Sequence, residues 1–475
     1  MIFSTYQFIF LFLPVTFSVY FFLNHFRQYS IAKIWLITAS FYFYAQGSPA
    51  FFPFFLGSVV GNYIIGTTMS RMEGNQGIQR KLLLAIGLAG NIGLLGYYKY
   101  TDFFIENYNL LTGSDYALKH IALPIGISFF TFQLIAFLVD SYRGETKQYD
   151  IINYLLFITF FPQLIVGPII HHGEIVPQFE NEENLKLNYD NIAKGLFLFA
   201  IGCAKKIMLA DPMTTNAQSF FNNIPANPDL LLTWFSSIEY TISYYFDLSG
   251  YADMAIGLGL MFNIHIPQNF DSPYKARNFQ DYWRRWHMTL SRFLSNYIFR
   301  SVYKHGSKWR NYYVATMVTF FVSGFWHGAG WTFVVWGIVN GVFVCTASWM
   351  KRKGYKFPAW VAYPLTALGV ILARVLFVAN TFTDAWTVYK GMLNFSSLGA
   401  GLSGMITSFL DFAKWHKSSG LILVIGIIIC WFLPSSKKMT EKFKANIWTA
   451  LYAGILLLLC VMQMNKVVQF LYFQF

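Results

Sequence analysis

Charge is what this chain has little of. Only 12% of its 475 residues are Asp, Glu, Lys or Arg, against roughly 25% in a soluble domain, and that scarcity excludes an ordinary water-soluble enzyme. Cysteine is also sparse. Cys203, Cys345, Cys430 and Cys460 all lie in apolar surroundings without a Cys-x-x-Cys pair, which excludes a cysteine-built metal or redox centre and leaves packing as their role. No Ser/Gly/Pro-rich linker and no long polar stretch interrupts the chain, so residues 1–475 read as one embedded domain without a separate soluble catalytic part. The N-terminus lacks the basic stretch of a cleavable signal. Arg27, the first positive charge, follows the apolar run Met1 to Leu23, so this run reads as an uncleaved first span with Arg27 and Lys33 inside.

What is present is apolar and aromatic. Hydrophobic residues make up 55% of the chain and aromatic ones 20%, Trp35, Phe51 and Tyr63 among them, as interfacial belts and aromatic-lined cavities require. Apolar runs are centred near Pro14, Thr38, Val60, Gly90, Phe130, Thr159, Phe199, Ser243, Val318, Gly337, Leu368, Ile427 and Leu456. A bilayer core of about 30 Å takes roughly 20 helical residues, so the fold expected is all-α and polytopic, with about eleven to thirteen transmembrane or re-entrant helices. The net charge of +13 resides in short clusters between these runs, at Arg71/Arg80/Lys81, Lys205/Lys206, Lys351/Arg352/Lys353/Lys356 and Lys437/Lys438/Lys442/Lys444. That distribution marks cytoplasmic loops and argues against nucleic acid as a partner; the bilayer is the partner it implies. Glu174 to Asp190 is acidic and reads as a solvated loop.

The stretch 265–310 breaks the pattern inside a motif-rich core, 240–345. It carries Lys275, Arg277, Arg284, Arg285, Arg292, Arg300, Lys304, Lys308 and Arg310 against only Asp271 and Asp281, among many aromatic residues. Too charged to cross lipid and too apolar for a loop, it fits an interfacial or re-entrant segment. Helical spacing over Asp281 to Phe299 puts Tyr282, Trp286, Thr289, Phe293 and Asn296 near one face. Its charge suits anionic headgroups or a phosphate-bearing donor drawn to Lys275, Arg284 and Arg285.

Two histidines, His287 and His327, each follow a tryptophan in these surroundings (Trp286 and Trp326). Polar groups at membrane depth are costly and tend to mark pathways or chemistry. A lone helical histidine is more often a hydrogen-bonded structural residue, but Gly324, Gly328 and Gly330 leave room for close approach of another chain or a ligand. Trp326 and Trp331 would then wall His327. An imidazole can take a proton from a hydroxyl during acyl transfer and return it.

In Asp247-Leu248-Ser249-Gly250-Tyr251-Ala252-Asp253 the carboxylates are not spaced as a helical pair. The segment reads as an N-cap or a break between half-helices, with Asp247 and Asp253 bracing the site against arginines. The adjacent His171 and His172 point apart on a helix and lie in no ligand array, so no metal is expected and a helix end at the membrane surface is the reading.

The run Tyr245 to Gly257, then Pro267, Asn269-Phe270, Pro273-Tyr274, Asp281 to Ser291 and Gly324 to Gly328, resembles the membrane-bound O-acyltransferase family in its bacterial branch. The likeness extends to Phe3-Ser4, Pro124 to Phe129, Asp140 to Gly144, and Phe161-Pro162-Gln163 with Gly167-Pro168-Ile169. The resemblance implies helices around a membrane-crossing tunnel, the acyl donor entering from the cytoplasm. It implies His327 as the catalytic histidine and His287 as the second polar position, with Asp247, Ser249, Tyr251, Asp253, Trp283, Trp286 and Trp326 as tunnel or structural support. The donor it implies is acetyl-CoA, a substrate rather than a resident cofactor. Its acetyl group would reach an extracytoplasmic acetyltransferase partner of SGNH type, and through it a polysaccharide such as alginate, cellulose or peptidoglycan, from the bacterial inner membrane. Alternatives are D-alanyl transfer from a carrier protein to teichoic acid and, without enzymatic action, transport of an acyl donor or lipid. One departure is the C-terminal arginine, Arg374 in Ala373-Arg374-Val375-Leu376-Phe377, which stands about one helical turn from the family position.

Overall fold

The computed structural model describes residues 1–72, 77–146, 149–303, 306, 309–398, 402–466 and 470–471. Lys304 and Lys308 of the basic segment lie outside the described residues. Among those described the regular structure is helical, without strands, and the chain is an all-α polytopic membrane protein. Phe8–His25, Pro49–Arg71, Ile78–Thr112, Trp331–Arg352 and Ala359–Val378 are long and apolar enough to cross a bilayer, and Ser418–Trp431 and Ile447–Val461 are shorter apolar helices. Their outward positions, Ile64, Ile86, Leu365 and Leu421 among them, are large, apolar and exposed, as lipid-facing surfaces are.

The chain divides into two compact units, each drawn from separate stretches. One comprises Met1–Ile201, Tyr251–Gln268 and Phe443–Leu456; the other comprises Gly202–Gly250, Asn269–Lys442 and Leu457–Phe475. In the first unit, the run centred on Thr159 is no span. Helix Ile151–Thr159 stops at Phe160 and a new turn, Phe161–Leu164, begins with Pro162 at its start, where a missing N–H costs nothing.

Both histidines belong to the second unit. Helix Trp309–His327 ends on His327, and Trp331–Arg352 returns beside it. The two meet through glycine: a Cβ on Gly324 would lie 2.4 Å from the Phe333 carbonyl oxygen, and one on Gly337 would lie 2.3 Å from that of Phe320. A Cβ on Gly328 would run into the Phe333 ring. The room left by Gly324 and Gly328 is thus filled by the helix hairpin itself, not by a ligand. Lys351 and Arg352 close the returning helix, where cations complement its dipole.

Three further expectations change. Asp247 to Gly250 sits inside one continuous helix, Leu230–Met261, because Gly250 serves close packing: a Cβ there would lie 2.8 Å from the Gly202 carbonyl oxygen. Lys205 and Lys206 form no loop. They open a π-helical turn, Lys205–Ala210, and both are buried. Lys206 Nζ lies 2.6 Å from Asp211 Oδ1 and 2.6 Å from Asp247 Oδ1, while Asp247 Oδ2 accepts the Leu471 amide at 2.9 Å. The brace on Asp247 is therefore a lysine rather than an arginine, and two carboxylates are what let the ammonium stay buried.

Candidate active site

The basic segment is not the single helix that its spacing suggests. Helix Phe279–Trp283 ends before His287, whose φ of 45° is left-handed, and Met288–Leu294 begins after it. That conformation is unfavourable for a residue with a Cβ, and Asn269 holds it. The Asn269 amide oxygen accepts from Thr289 N at 3.2 Å and Thr289 Oγ1 at 3.0 Å, and its carbonyl accepts from Met288 N at 2.9 Å. The same amide oxygen faces His287 Nδ1 at 3.2 Å. Being an acceptor, it assigns the ring proton to Nδ1, which leaves a lone pair at Nε2. Burial pushes the His287 imidazole down to about 3, so the ring is neutral across physiological pH. A neutral ring of this tautomer accepts at Nε2 and cannot polarise a carbonyl there.

His327 is buried in an aromatic box. Trp326 stands 4.8 Å from its ring, Trp336 5.0 Å and Phe377 5.4 Å, all edge-on. Trp331, expected as a wall, is 54% exposed, and Trp336 and Phe377 add walls that the sequence did not suggest. From His327 a chain of ring contacts runs through Phe377, Tyr244, Trp286 and Phe270 to His287, with steps of 5.3, 6.0, 5.2 and 6.0 Å after the first. One aromatic envelope thus holds both imidazoles.

Arg374 enters the same envelope. Buried on the spanning helix Ala359–Val378, its guanidinium lies 4.3 Å over Tyr244, 4.9 Å over Phe377 and 5.2 Å over Trp286. Among the described residues it pairs with no carboxylate; ring faces hold the charge. The sequence flagged this arginine only as displaced.

A cleft of about 310 Å³ borders this envelope through Trp283, whose ring stands 5.9 Å from that of Trp336; exposed Arg284 is on its rim and Thr316, Phe320 and buried Ser323 lie along it. Thr316, Phe320, Ser323 and His327 fall on one face of helix Trp309–His327, each one turn beyond the last. Of the three expected donor-binding cations, only Arg284 reaches the cleft. Arg285 Nε is paired with Asp281 Oδ1 at 2.8 Å, and Lys275 Nζ donates to the Leu433 carbonyl at 2.6 Å.

Ser249 is buried in this unit, and Tyr251 and Asp253 are buried in the other. There too, His171 starts helix His172–Glu180, as a helix end requires. His171 Nε2 and His172 Nε2 meet Asp140 Oδ2 at 2.7 and 3.2 Å. The three side chains are close enough to hold an ion. However, His171 Nδ1 accepts the Gly173 amide at 3.2 Å, so its proton sits on the Nε2 that faces Asp140. At His171 the donor set fits a proton rather than a metal.

The model of the membrane-bound O-acyltransferase family matches residues 80–380. The chain belongs to that family. It is an acyltransferase of the multi-pass membrane type. A peptidoglycan O-acetyltransferase of Helicobacter pylori is 37% identical over 100% of this chain and 98% of its own. A probable alginate O-acetylase AlgI of Pseudomonas aeruginosa is 34% identical over 84% of this chain and 76% of its own. A teichoic acid D-alanyltransferase of Bacillus subtilis is 27% identical over 53% of this chain and 65% of its own. With the family established, transport without chemistry no longer accounts for the chain.

Proposed function

We propose that this acyltransferase moves an acetyl group from cytoplasmic acetyl-CoA, across the bacterial inner membrane, to an extracytoplasmic acetyltransferase partner of SGNH type that O-acetylates a cell-surface polysaccharide. The observation that carries this reading is the enclosed His327 one helical turn beyond Ser323, the last residue on its helix to line a cleft that has Arg284 on its rim. A cation at the mouth suits the donor's phosphates, and hydroxyls along the wall suit the amides of its pantetheine arm. His327 takes the proton of the acceptor hydroxyl as its oxygen attacks the acetyl carbon. The carbon–sulfur bond then breaks, and the leaving thiolate recovers the proton from the imidazolium. Arg374, stacked on the Phe377 ring that His327 also touches, supplies positive charge for the developing oxyanion. His287, a neutral ring in the same aromatic envelope, helps to position the reacting groups.

Full-length likeness to a peptidoglycan O-acetyltransferase favours acetyl over D-alanyl and peptidoglycan over the other polymers. The test is acetyl release from radiolabelled acetyl-CoA by purified protein, wild type against His327→Ala. A drop of about 10²- to 10⁴-fold in a variant that elutes and melts like wild type is expected. Equal rates would remove His327 from the chemistry. Turnover with a D-alanyl carrier thioester, and none with acetyl-CoA, would replace the donor.

A further inference from the structure

At the lysine-bearing end of the second unit, a cavity of about 590 Å³ opens between helices Trp331–Arg352 and Ala359–Val378 and the stretch Arg277 to Gln280. Its depth is apolar, formed by Phe343, Phe279, Leu365, Leu368 and Leu372. Phe279 stacks on Phe343 at 4.3 Å and lies against Gly369, where a Cβ would come within 2.4 Å of the ring. Its mouth is cationic. Arg277, Lys351 and Lys356 are exposed there, and no acidic residue lines the cavity. Arg277 Nε donates to Tyr363 Oη at 3.1 Å, which anchors the guanidinium at this mouth. Leu365 and Leu368 are 47% and 39% exposed on a helix of spanning length, a surface that acyl chains of a bilayer would cover.

We propose that this cavity is a binding site for one anionic phospholipid. The phosphate sits on Arg277, Lys351 and Lys356, and an acyl chain follows Phe343, Leu368 and Leu372 inwards. Charge of one sign at the headgroup level above an apolar slot is complementary to such an amphiphile. A free nucleotide would leave its ribose and base facing carbon along the depth of the cavity. Gln280 lines this cavity and also the cleft that carries Arg284 on its rim, so the lipid would brace a wall of the proposed donor path. The inference stands on the cavity alone and holds whichever acyl donor the enzyme uses.

Native mass spectrometry of the detergent-purified full chain, offered equal amounts of phosphatidylglycerol and phosphatidylcholine with the same acyl chains, tests this. Wild type retains phosphatidylglycerol about fivefold or more over phosphatidylcholine. Lys351→Gln with Lys356→Gln brings the ratio near unity, whereas Lys442→Gln with Lys444→Gln, equal in charge but outside the cavity, leaves it unchanged. Ala347→Trp, which fills the slot and keeps the cations, lowers retention of the bound lipid. No preference in wild type, equal loss in both double variants, or displacement of the lipid by acetyl-CoA would overturn the assignment, the last by giving the cavity to the donor.

Discussion

Asn269 holds together what the sequence shows only as two separate motifs. Its amide oxygen takes both polar hydrogens of Thr289 and faces His287 Nδ1, and this network makes the left-handed turn at His287 tenable. The consequence is a histidine buried as a neutral ring, and its linkage to stability has a definite sign. The folded chain binds the proton only near pH 3, whereas an unfolded chain binds it near 6.5. The stabilising contribution is therefore complete above pH 6.5 and is lost as pH falls from there towards 3, at up to about 1.4 kcal/mol per unit. Thermal melts of purified protein at pH 7.5 and pH 5 should show a smaller acid-induced drop in His287→Gln than in wild type. An equal drop would mean that other groups account for the acid sensitivity. Both histidines and the Trp-His pairs were legible in the sequence because polar residues among apolar ones stand out. Asn269, Trp336, Phe377 and the packing of Arg374 were not, since their contacts with the site join distant parts of the chain.

At the scale of elements, the hairpin of Trp309–His327 and Trp331–Arg352 fixes His327 by backbone proximity. Gly337→Leu must push Phe320 and Gly324 away, because even a Cβ at Gly337 would lie 2.3 Å from the Phe320 carbonyl oxygen. Overpacking of this kind costs about 1–3 kcal/mol or more, and the splayed helix would carry His327 with it. A lower Tm together with reduced acetyl release is expected. Gly330→Ala is the contrast: its Cβ has nothing nearer than 3.5 Å, from the Phe333 ring, and φ is −166°, so melting and rate should stay near wild type. Matching losses in the two variants would deny the hairpin this role. Periodicity located both helices, but it could not separate glycine that admits a partner helix from glycine that admits a ligand. Nor could it find the break at His287, because Asp281 to Phe299 keeps a helical spacing of apolar residues through a turn held by tertiary hydrogen bonds.

At the scale of the whole molecule, hydropathy carried most of the fold, since a spanning helix must satisfy its own backbone and so announces itself by length and composition. Orientation follows from the basic clusters, but their meaning depends on burial. Lys206 is spent on Asp211 and Asp247, and Arg80 is buried, with Nη2 donating to the Ser141 carbonyl at 2.9 Å, so neither reports on sidedness as a solvated charge would. Lys351, Lys353 and Lys356 are exposed between two spanning helices and do. The charge rule predicts the loop at Tyr355 in the cytoplasm. With one crossing by Ile78–Thr112 from the basic stretch around Lys81, it predicts Asp115 outside. In a background with Cys203, Cys345, Cys430 and Cys460 replaced, Asp115→Cys should react with a membrane-impermeant maleimide on intact cells, and Tyr355→Cys only after the inner membrane is opened. The reverse pattern would turn the molecule over, so that the Lys351 and Lys356 mouth faced the outer leaflet and the donor path no longer met cytoplasmic acetyl-CoA.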